Sequence, residues 1–301
     1  MNFLFPLGAV VIWAVNSVVS KMTVGLITPE AISFYRWAIA LLVLTPLTLP
    51  GLIRHRAALR GNLLKLLTLG ALGMVLYQSL AYYAAQTVSA LFIGILVASI
   101  PLLTVVFSLF FLRLTPTLGI VSGSVLSLCG LTLLVSQGHP AQLLHQGLGR
   151  GEILMLAAAA AYALYGVLTK RWAADLSRLP QWQSLYMQIL FAVLLLIPGF
   201  VHTTDIRLTA QNIPLVLFAA LPASILAPYL WIKGVVRLGA NTASIFLNLS
   251  PLFTAVIAIL FLHEQLHSWH LTGGGLTLVG VILAQRLRIP LRRPRKAIGS
   301  Y

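Results

Sequence analysis

The sequence predicts an all-α polytopic membrane protein with ten transmembrane helices, arranged as two inverted-topology repeats of five helices around a central cavity. Three observations lead to this prediction: apolar segments of membrane-spanning length follow one another, basic residues are distributed asymmetrically between them, and the second half of the chain repeats the first. Of the 301 residues, 59% are hydrophobic and only 8% are charged, whereas soluble domains have about 25% charged residues.

Apolar segments of about 20 residues match the roughly 30 Å hydrocarbon core of a bilayer. The predicted spans are 3–22, 30–50, 62–83, 89–112 and 116–136 in the first half, and 152–170, 181–201, 212–233, 240–262 and 268–286 in the second. Prolines inside several spans are tolerated where neighbouring helices satisfy the freed backbone groups. The first segment lacks a positively charged start and a cleavage site, so we expect it to remain as a span.

The chain has a net charge of +15, and its basic residues are distributed as the predicted topology requires. With the N-terminus in the cytoplasm, most Lys and Arg residues fall in cytoplasmic loops or in the tail, which is the positive-inside pattern. This predicts an inner-membrane protein with both termini cytoplasmic and a basic tail, 289–301, that binds anionic lipid headgroups. We therefore do not expect nucleic acid as a partner. The single cysteine, Cys129, lies in a span, and no cofactor or metal site is predicted.

The second half of the chain repeats the first at an offset of 149 to 151 residues. WAVNSVVSK at 13–21 returns as YALYGVLTK at 162–170. The further matches are Pro29, Ser33 and Tyr35 with Pro180, Ser184 and Tyr186, Pro101 and Thr104 with Pro251 and Thr254, and Gly123 and Gly130 with Gly273 and Gly280. Matches of proline, glycine and lysine in register indicate a duplication rather than shared composition.

Because each predicted repeat has five spans, the second must cross the membrane in the opposite sense. The repeats are predicted to occupy 1–136 and 151–288, joined by a loop over 137–150. Inverted repeats are recurrent in secondary transporters, which bind substrate near the midplane between the halves. The duplication therefore predicts alternating access to one central site.

Several segments resemble the drug/metabolite transporter superfamily, specifically EamA-type ten-helix transporters and, within them, amino-acid exporters of the YddG type. They are the two five-helix halves, SFYRWAIALLVL in the second span, and the ending LSPLFTAVIAILFLHEQLHSWHLTGGGLTLVGVILA. The family's pattern in the second half is represented by Pro251, Glu264, Gly273 and Gly280. The first half departs from it, since Leu114 stands where the glutamate would be. The resemblance implies a helix bundle that moves small organic metabolites outward.

Polar and aromatic residues in mid-span positions are candidates for a substrate path. Gln78 and Tyr82 are four residues apart and share one face of the third span. The predicted cavity-lining residues are Trp13, Asn16, Gln78, Tyr82, Ser99, Tyr162, Tyr165, Tyr229 and Asn248. Pro101 and Pro251 are predicted kink or gating positions, because a proline frees a carbonyl on the preceding turn.

Structural explanations stay open for several of these residues. Aromatic residues near span ends form interfacial belts, which would account for Trp37, Tyr83, Trp172, Trp182 and Trp269. A mid-span amide can simply bond a neighbouring helix, contributing about 0.6 kcal/mol. Arg36 lies about six residues, or ~9 Å, from the start of its span, which favours snorkelling to the interface over binding a carboxylate.

Aromatic faces with amide and hydroxyl groups suit an uncharged or zwitterionic molecule with an apolar side chain. The acidic residues, Glu30, Glu152, Asp175, Asp205 and Glu264, all lie near span ends or in loops. Because no carboxylate would titrate within the membrane, we predict facilitated diffusion rather than proton coupling. The sequence thus predicts an exporter of aromatic or neutral hydrophobic amino acids and similar small metabolites, with drugs or nucleoside-like compounds as the alternative. Its partners would be this substrate and membrane lipids, and a monomer would suffice.

Two other functional classes were weighed. A membrane enzyme needs a cluster of acids, histidines or a nucleophile at one depth, and Glu264 with His263, His267 and His270 is the candidate cluster. A predicted loop separates the spans at this point, so we expect neither a metal site nor an enzyme. A purely structural, helix-packing role would use glycines such as 273–275, but a transporter bundle needs the same close contacts.

Overall fold

A computed structural model describes residues 2–97, 99–112, 117–141, 148–238, 246–287 and 289, and it builds these residues into helices without a β-sheet. The helices are α1 (Leu4–Met22), α2 (Pro29–Arg54), α3 (Leu63–Ala85), α4 (Ala90–Val97 and Ile100–Phe111), α5 (Leu118–Val135), α6 (Arg150–Arg171), α7 (Gln181–His202), α8 (Ile213–Ala220, Pro222–Leu226 and Ala227–Leu238), α9 (Ser250–Leu262) and α10 (Ser268–Arg286). Short helices, Arg56–Arg60, Ala173–Leu176 and Phe246–Leu249, lie between them.

The lengths of these helices confirm a polytopic, all-helical membrane protein. Six of the described helices, α1, α2, α3, α6, α7 and α8, are long and apolar enough to cross a bilayer, and the bent α4 makes a seventh if its parts form one span. Helices α5, α9 and α10 are apolar but shorter. Residues 239–245, where the ninth span was predicted to begin, lie outside the described residues. The count of ten spans therefore stays a prediction.

Prolines act in two ways in this fold. Helix α2 continues through Pro46 and Pro50, and α7 continues through Pro198. Pro101 and Pro251 instead stand in the first turn of a helix, where the missing N–H removes no helical hydrogen bond. The kink predicted at Pro251 is thus a helix start. In α4 a bend of 40° separates Ala90–Val97 from Leu102–Phe111, and a gating role for either proline stays a prediction.

The duplication is visible as a shared irregularity of α3 and α8. Each helix contains a π-helical turn, at Gly70–Leu76 in α3 and at Pro222–Leu226 in α8. Adding 150 to the first range gives 220–226, so the two turns occupy equivalent positions in the repeats. A π-helical turn widens the backbone and releases carbonyl groups from the helical ladder, and such turns are frequent at functional sites.

Helices α5 and α10 cross at two reciprocal glycine contacts. A Cβ at Gly123 would collide with the carbonyl oxygen of Gly280, and a Cβ at Gly130 would collide with that of Gly273. Because 273 − 123 and 280 − 130 both equal 150, the repeat exchanges one contact for the other. The crossing is therefore two-fold symmetric, as expected for a duplicated structure, and only glycine permits the backbones to approach so closely.

Candidate functional site at a buried polar cluster

The most polar part of the interior surrounds Arg36, which is 2% exposed although it belongs to a membrane-spanning helix. Its Nε donates to Oγ of Ser224 at 2.7 Å, and its Nη1 donates to Oε1 of Gln78 at 2.8 Å. The same Nη1 lies 3.2 Å from the hydroxyl of Tyr82 and 3.5 Å from Oδ1 of Asn16. These five residues, from α1, α2, α3 and α8, are the Arg36 cluster.

The π-helical turns provide the backbone frame of this cluster. The indole N–H of Trp37 donates to the carbonyl of Met74 in the turn of α3, at 3.0 Å. The indole N–H of Trp13 donates to the carbonyl of Ala223 in the turn of α8, at 3.3 Å. Ser224 lies in the same turn and donates its own hydroxyl to the carbonyl of Ala219. The hydroxyl oxygen of Ser224 is thereby oriented to accept from Arg36.

Aromatic rings from the second repeat adjoin the cluster. The rings of Tyr77 and Tyr162 are 4.5 Å apart between centroids, and Tyr165 follows at 5.4 Å from Tyr162. Tyr165 packs directly on Gly73 in the π-helical turn of α3, where a Cβ would overlap the ring. Tyr77 immediately precedes Gln78 on α3, so α3 joins the aromatic group to the polar one.

The charge of Arg36 has no acidic partner in the described part of the chain. Within those residues the structure contains one salt bridge, Lys65 with Asp175, near the chain's surface. Glu30 accepts from Tyr83, and the carboxylate of Glu264 accepts backbone N–H groups elsewhere. Burying an ion without a counter-charge costs on the order of several kcal/mol. The neutral oxygens around Arg36, together with the ring of Trp37 at 5.0 Å, compensate only part of this cost.

The structure brings together most of the predicted site residues. Asn16, Gln78 and Tyr82 contact Arg36, Trp13 lies against the adjoining turn of α8, and Tyr162 and Tyr165 form the aromatic group. Ser99 is buried, but its hydroxyl donates to the carbonyl of Leu96 in its own helix. Their role in substrate binding stays a prediction.

Among the predicted residues whose side chains the structure describes, Tyr229 does not join these contacts. Tyr229 is 36% exposed; it lies 5.8 Å from the ring of Trp182 and faces the ammonium of Lys233 at 4.4 Å. Neither Trp182 nor Lys233 is a member of the Arg36 cluster. The side chain of Asn248 lies outside the described residues.

Two sequence-based interpretations were wrong. Arg36 does not snorkel, because it is buried and its Nε and Nη1 groups donate to side chains of α1, α3 and α8. Trp37 does not belong to an interfacial belt, because it is 4% exposed and bonds the turn of α3. Sequence reasoning also missed Ser224, since a serine in an apolar helix gives no distinguishing signal. A charged residue inside a span is by contrast a functional candidate by default. This signal applied to Arg36, but its position near the start of the span favoured snorkelling, and Arg36 was not among the predicted cavity residues.

At the predicted periplasmic end, two charged side chains hold the turn between α3 and α4. Lys21 donates its ammonium to the carbonyl of Ala85, at the C-terminus of α3, at 2.8 Å. Glu264 accepts from the N–H groups of Ala90 and Leu91, at the N-terminus of α4, at 2.8 and 3.0 Å. Each charge lies at the helix end that the helix dipole favours. The carboxylate of the family pattern is therefore a helix cap; Leu114 lies outside the described residues.

A cavity of about 360 Å³ opens at this same end. It is lined in part by Gln137, Glu152, Glu264, His267 and Trp269. His270 and His267 form hydrogen bonds that cap the start of α10. Among the described residues no group of histidine, cysteine and acidic side chains is arranged to hold a metal ion.

The helical fold, the inverted packing and the buried polar cluster together define a polytopic membrane transporter rather than an enzyme. The model of the EamA-like transporter family matches the chain twice, over residues 2–136 and 149–285. The chain therefore belongs to the EamA-like transporter family, as the sequence resemblance predicted. The narrower likeness to YddG-type exporters stays a prediction.

Similar proteins agree with this assignment. A Bacillus subtilis (strain 168) protein named as the uncharacterized transporter YyaM is 25% identical over 90% of this chain and 89% of its own. A Streptantibioticus cattleyicolor protein named "Probable terminal-alkyne amino-acid exporter" is 28% identical over 76% of this chain and 75% of its own. A crystal structure with 18% sequence identity shares the fold, with a TM-score of 0.61 over 98% of both chains.

Proposed function

We propose that this protein exports aromatic or neutral hydrophobic amino acids, and similar small metabolites, across the cell inner membrane by alternating access. The observation that carries the proposal is that one helix, α3, joins both groups. It contributes Gln78 and Tyr82 to the polar group, which also includes Asn16, and it packs against the aromatic group of Tyr162 and Tyr165. Such a site would match the polar backbone end and the apolar side chain of an amino acid at once. The name of the Streptantibioticus cattleyicolor relative supports the same substrate class.

We further propose that transport is facilitated diffusion. All five acidic residues of the chain are accounted for outside the Arg36 cluster, and none of them donates to or accepts from its members in the described part of the chain. Proton coupling through a membrane-embedded carboxylate would require such a residue at the site. We also propose that both termini lie in the cytoplasm, because the basic residues follow the positive-inside pattern.

The test uses the purified protein in proteoliposomes. Liposomes preloaded with unlabelled phenylalanine are expected to take up external radiolabelled phenylalanine by counterflow. Leucine should inhibit this uptake more strongly than a nucleoside or a quaternary amine does. A pH gradient imposed without a substrate gradient is expected to produce no accumulation. Counterflow of a nucleoside but of no amino acid would favour the alternative substrates, and pH-driven accumulation would contradict facilitated diffusion.

A further inference from the structure

Arg36 is a buried cation whose guanidinium is only partly used by the protein. A guanidinium carries five N–H donors in a planar fork. Nε and Nη1 donate to the neutral oxygens of the Arg36 cluster, whereas Nη2 has no hydrogen-bond partner among the residues the structure describes. Nε is held by Ser224 in the π-helical turn of α8. Nη2 is therefore available to a ligand, and Nη1 joins it in a two-point contact once the ligand replaces the present acceptors of Nη1.

We propose that Arg36 binds the carboxylate of the transported molecule through this edge, and that it restricts transport to substrates carrying a carboxylate. The inference rests on the proposed function, because it assigns the substrate class at the same cluster. A guanidinium matches a carboxylate with two parallel hydrogen bonds, a geometry that a lysine cannot provide. The ligand's negative charge supplies the counter-ion that the described part of the protein lacks around Arg36.

The number of charges limits the ligand to a monocarboxylate. Arg36 is the one basic side chain that is buried within the described ranges. Lys21, on the same helix as Asn16, is engaged with the carbonyl of Ala85 at the end of α3. A dicarboxylate or a phosphate would bring a second negative charge without a partner, which a site of low dielectric disfavours.

The same contacts explain how the site accepts a zwitterion. A carboxylate on the Nη1 edge replaces the acceptors that Nη1 now uses, of which Asn16 at 3.5 Å is the most distant. The oxygens of Asn16 and Gln78 then become free to accept from the ammonium group of an amino acid. The substrate's two charges are thereby exchanged for hydrogen bonds that the cluster already forms, and the oxygens of Asn16 and Gln78 keep a hydrogen-bond donor.

The experiment compares three ligands that differ only at their charged groups: phenylalanine, phenylalaninamide and 3-phenylpropionate. Each is tested as an inhibitor of phenylalanine counterflow and as a stabiliser of the purified protein against heat. In the wild type, the amide is expected to bind about 10- to 100-fold more weakly than phenylalanine, the range for a hydrogen bond to a charged group. Arg36→Gln is expected to weaken the binding of phenylalanine by the same factor and to leave the binding of the amide unchanged. The affinity of Arg36→Lys for phenylalanine should lie between those of the wild type and Arg36→Gln.

Arg54→Gln is the matched control, because Arg54 is in the last turn of the same helix and is exposed. This variant should keep the wild-type preference for the carboxylate. A folded Arg36→Gln protein that keeps this preference would overturn the inference. If that variant does not fold, the wild type decides, since equal binding of amide and acid also overturns it. If liposomes containing the wild-type protein transport no amino acid, the proposed function is contradicted. Comparing how 3-phenylpropionate and phenylalaninamide stabilise the protein against heat would still test whether Arg36 binds a carboxylate.

Discussion

The two repeats have the same helical geometry but differ in the chemistry that this geometry presents. Both contain a π-helical turn, in α3 and in α8, and an indole N–H bonds a carbonyl in each turn. At an offset of 151, however, Arg36 corresponds to Met187, which lies in an apolar core. At this duplicated position, therefore, the first repeat presents a buried cation and the second an apolar side chain.

The same contrast holds on the other side of the cluster. At an offset of 149, Asn16 corresponds to Tyr165, and at an offset of 150, Ser224 corresponds to Met74. At the position of Asn16 the first repeat places an amide near a guanidinium, whereas at the equivalent position the second repeat places the phenol ring of Tyr165 on Gly73. Backbone duplication supplies two equivalent frames, whereas side-chain divergence makes the cluster between them asymmetric.

Introducing the first repeat's charge into the second should have the largest effect. Met187→Arg places a cation among apolar side chains in a position that is 9% exposed. An uncompensated buried charge is expected to destabilise the protein by roughly 3–5 kcal/mol, which would be seen as loss of the monodisperse peak in heated, detergent-solubilised samples. Met187→Leu, the control, should cost less than about 1.5 kcal/mol. A stable Met187→Arg protein would show that the second repeat can also hold a cation.

Substitutions at symmetry-related positions of the glycine contacts should destabilise the protein equally. Gly123→Leu and Gly273→Leu, which the offset of 150 relates, each insert a side chain against the backbone of the facing helix, and we expect each to destabilise the protein by about 1–3 kcal/mol. Gly275→Leu is the control two residues from Gly273, because nothing lies near its Cβ position. Thermal unfolding in detergent measures all three variants. A clear difference between Gly123→Leu and Gly273→Leu would contradict the two-fold symmetry of the crossing.

Removing the helix cap at the periplasmic end should have the smallest effect. Glu264→Ala leaves the N–H groups of Ala90 and Leu91 without their carboxylate, at an expected cost of about 1 kcal/mol, while Glu264→Gln should retain part of the cap. Hydrogen exchange at these two amides should become faster in Glu264→Ala. Glu152→Ala, which alters an acid in the same cavity, serves as the control. Unchanged exchange in Glu264→Ala would contradict the capping role of this carboxylate.

Composition and periodicity predicted most of the fold because a bilayer allows few solutions. A polar backbone in hydrocarbon must form helices, so apolar length alone located the segments that the structure shows as helices. The matches of Pro101 with Pro251 and of Gly130 with Gly280 indicated equivalent positions in the two repeats. The sequence could not predict that these prolines begin helices, because that depends on the turns that precede them.

The candidate site was predictable for residue types that are rare inside membranes and not for the others. Asn16, Gln78 and Tyr82 were identified as mid-span polar residues, and the structure joins all three through Arg36. Tyr229 had the same signal, yet its helix turns it to an exposed position. Ser224 had no signal, since its importance comes from the π-helical turn that aims its hydroxyl at Arg36.

The sequence by itself determined the helical membrane class, the duplication and the residue types available for a site, because these follow from hydrophobicity, register and the cost of polar groups in lipid. Only the tertiary structure decided that Arg36 points inward and that Glu264 caps α4. Both outcomes depend on partners more than 40 residues away in the chain, Tyr82 and Ser224 for Arg36 and Ala90 for Glu264. The contact of Arg36 with Ser224 and that of Glu264 with Ala90 join the two repeats, so they exist only after the repeats have packed against each other.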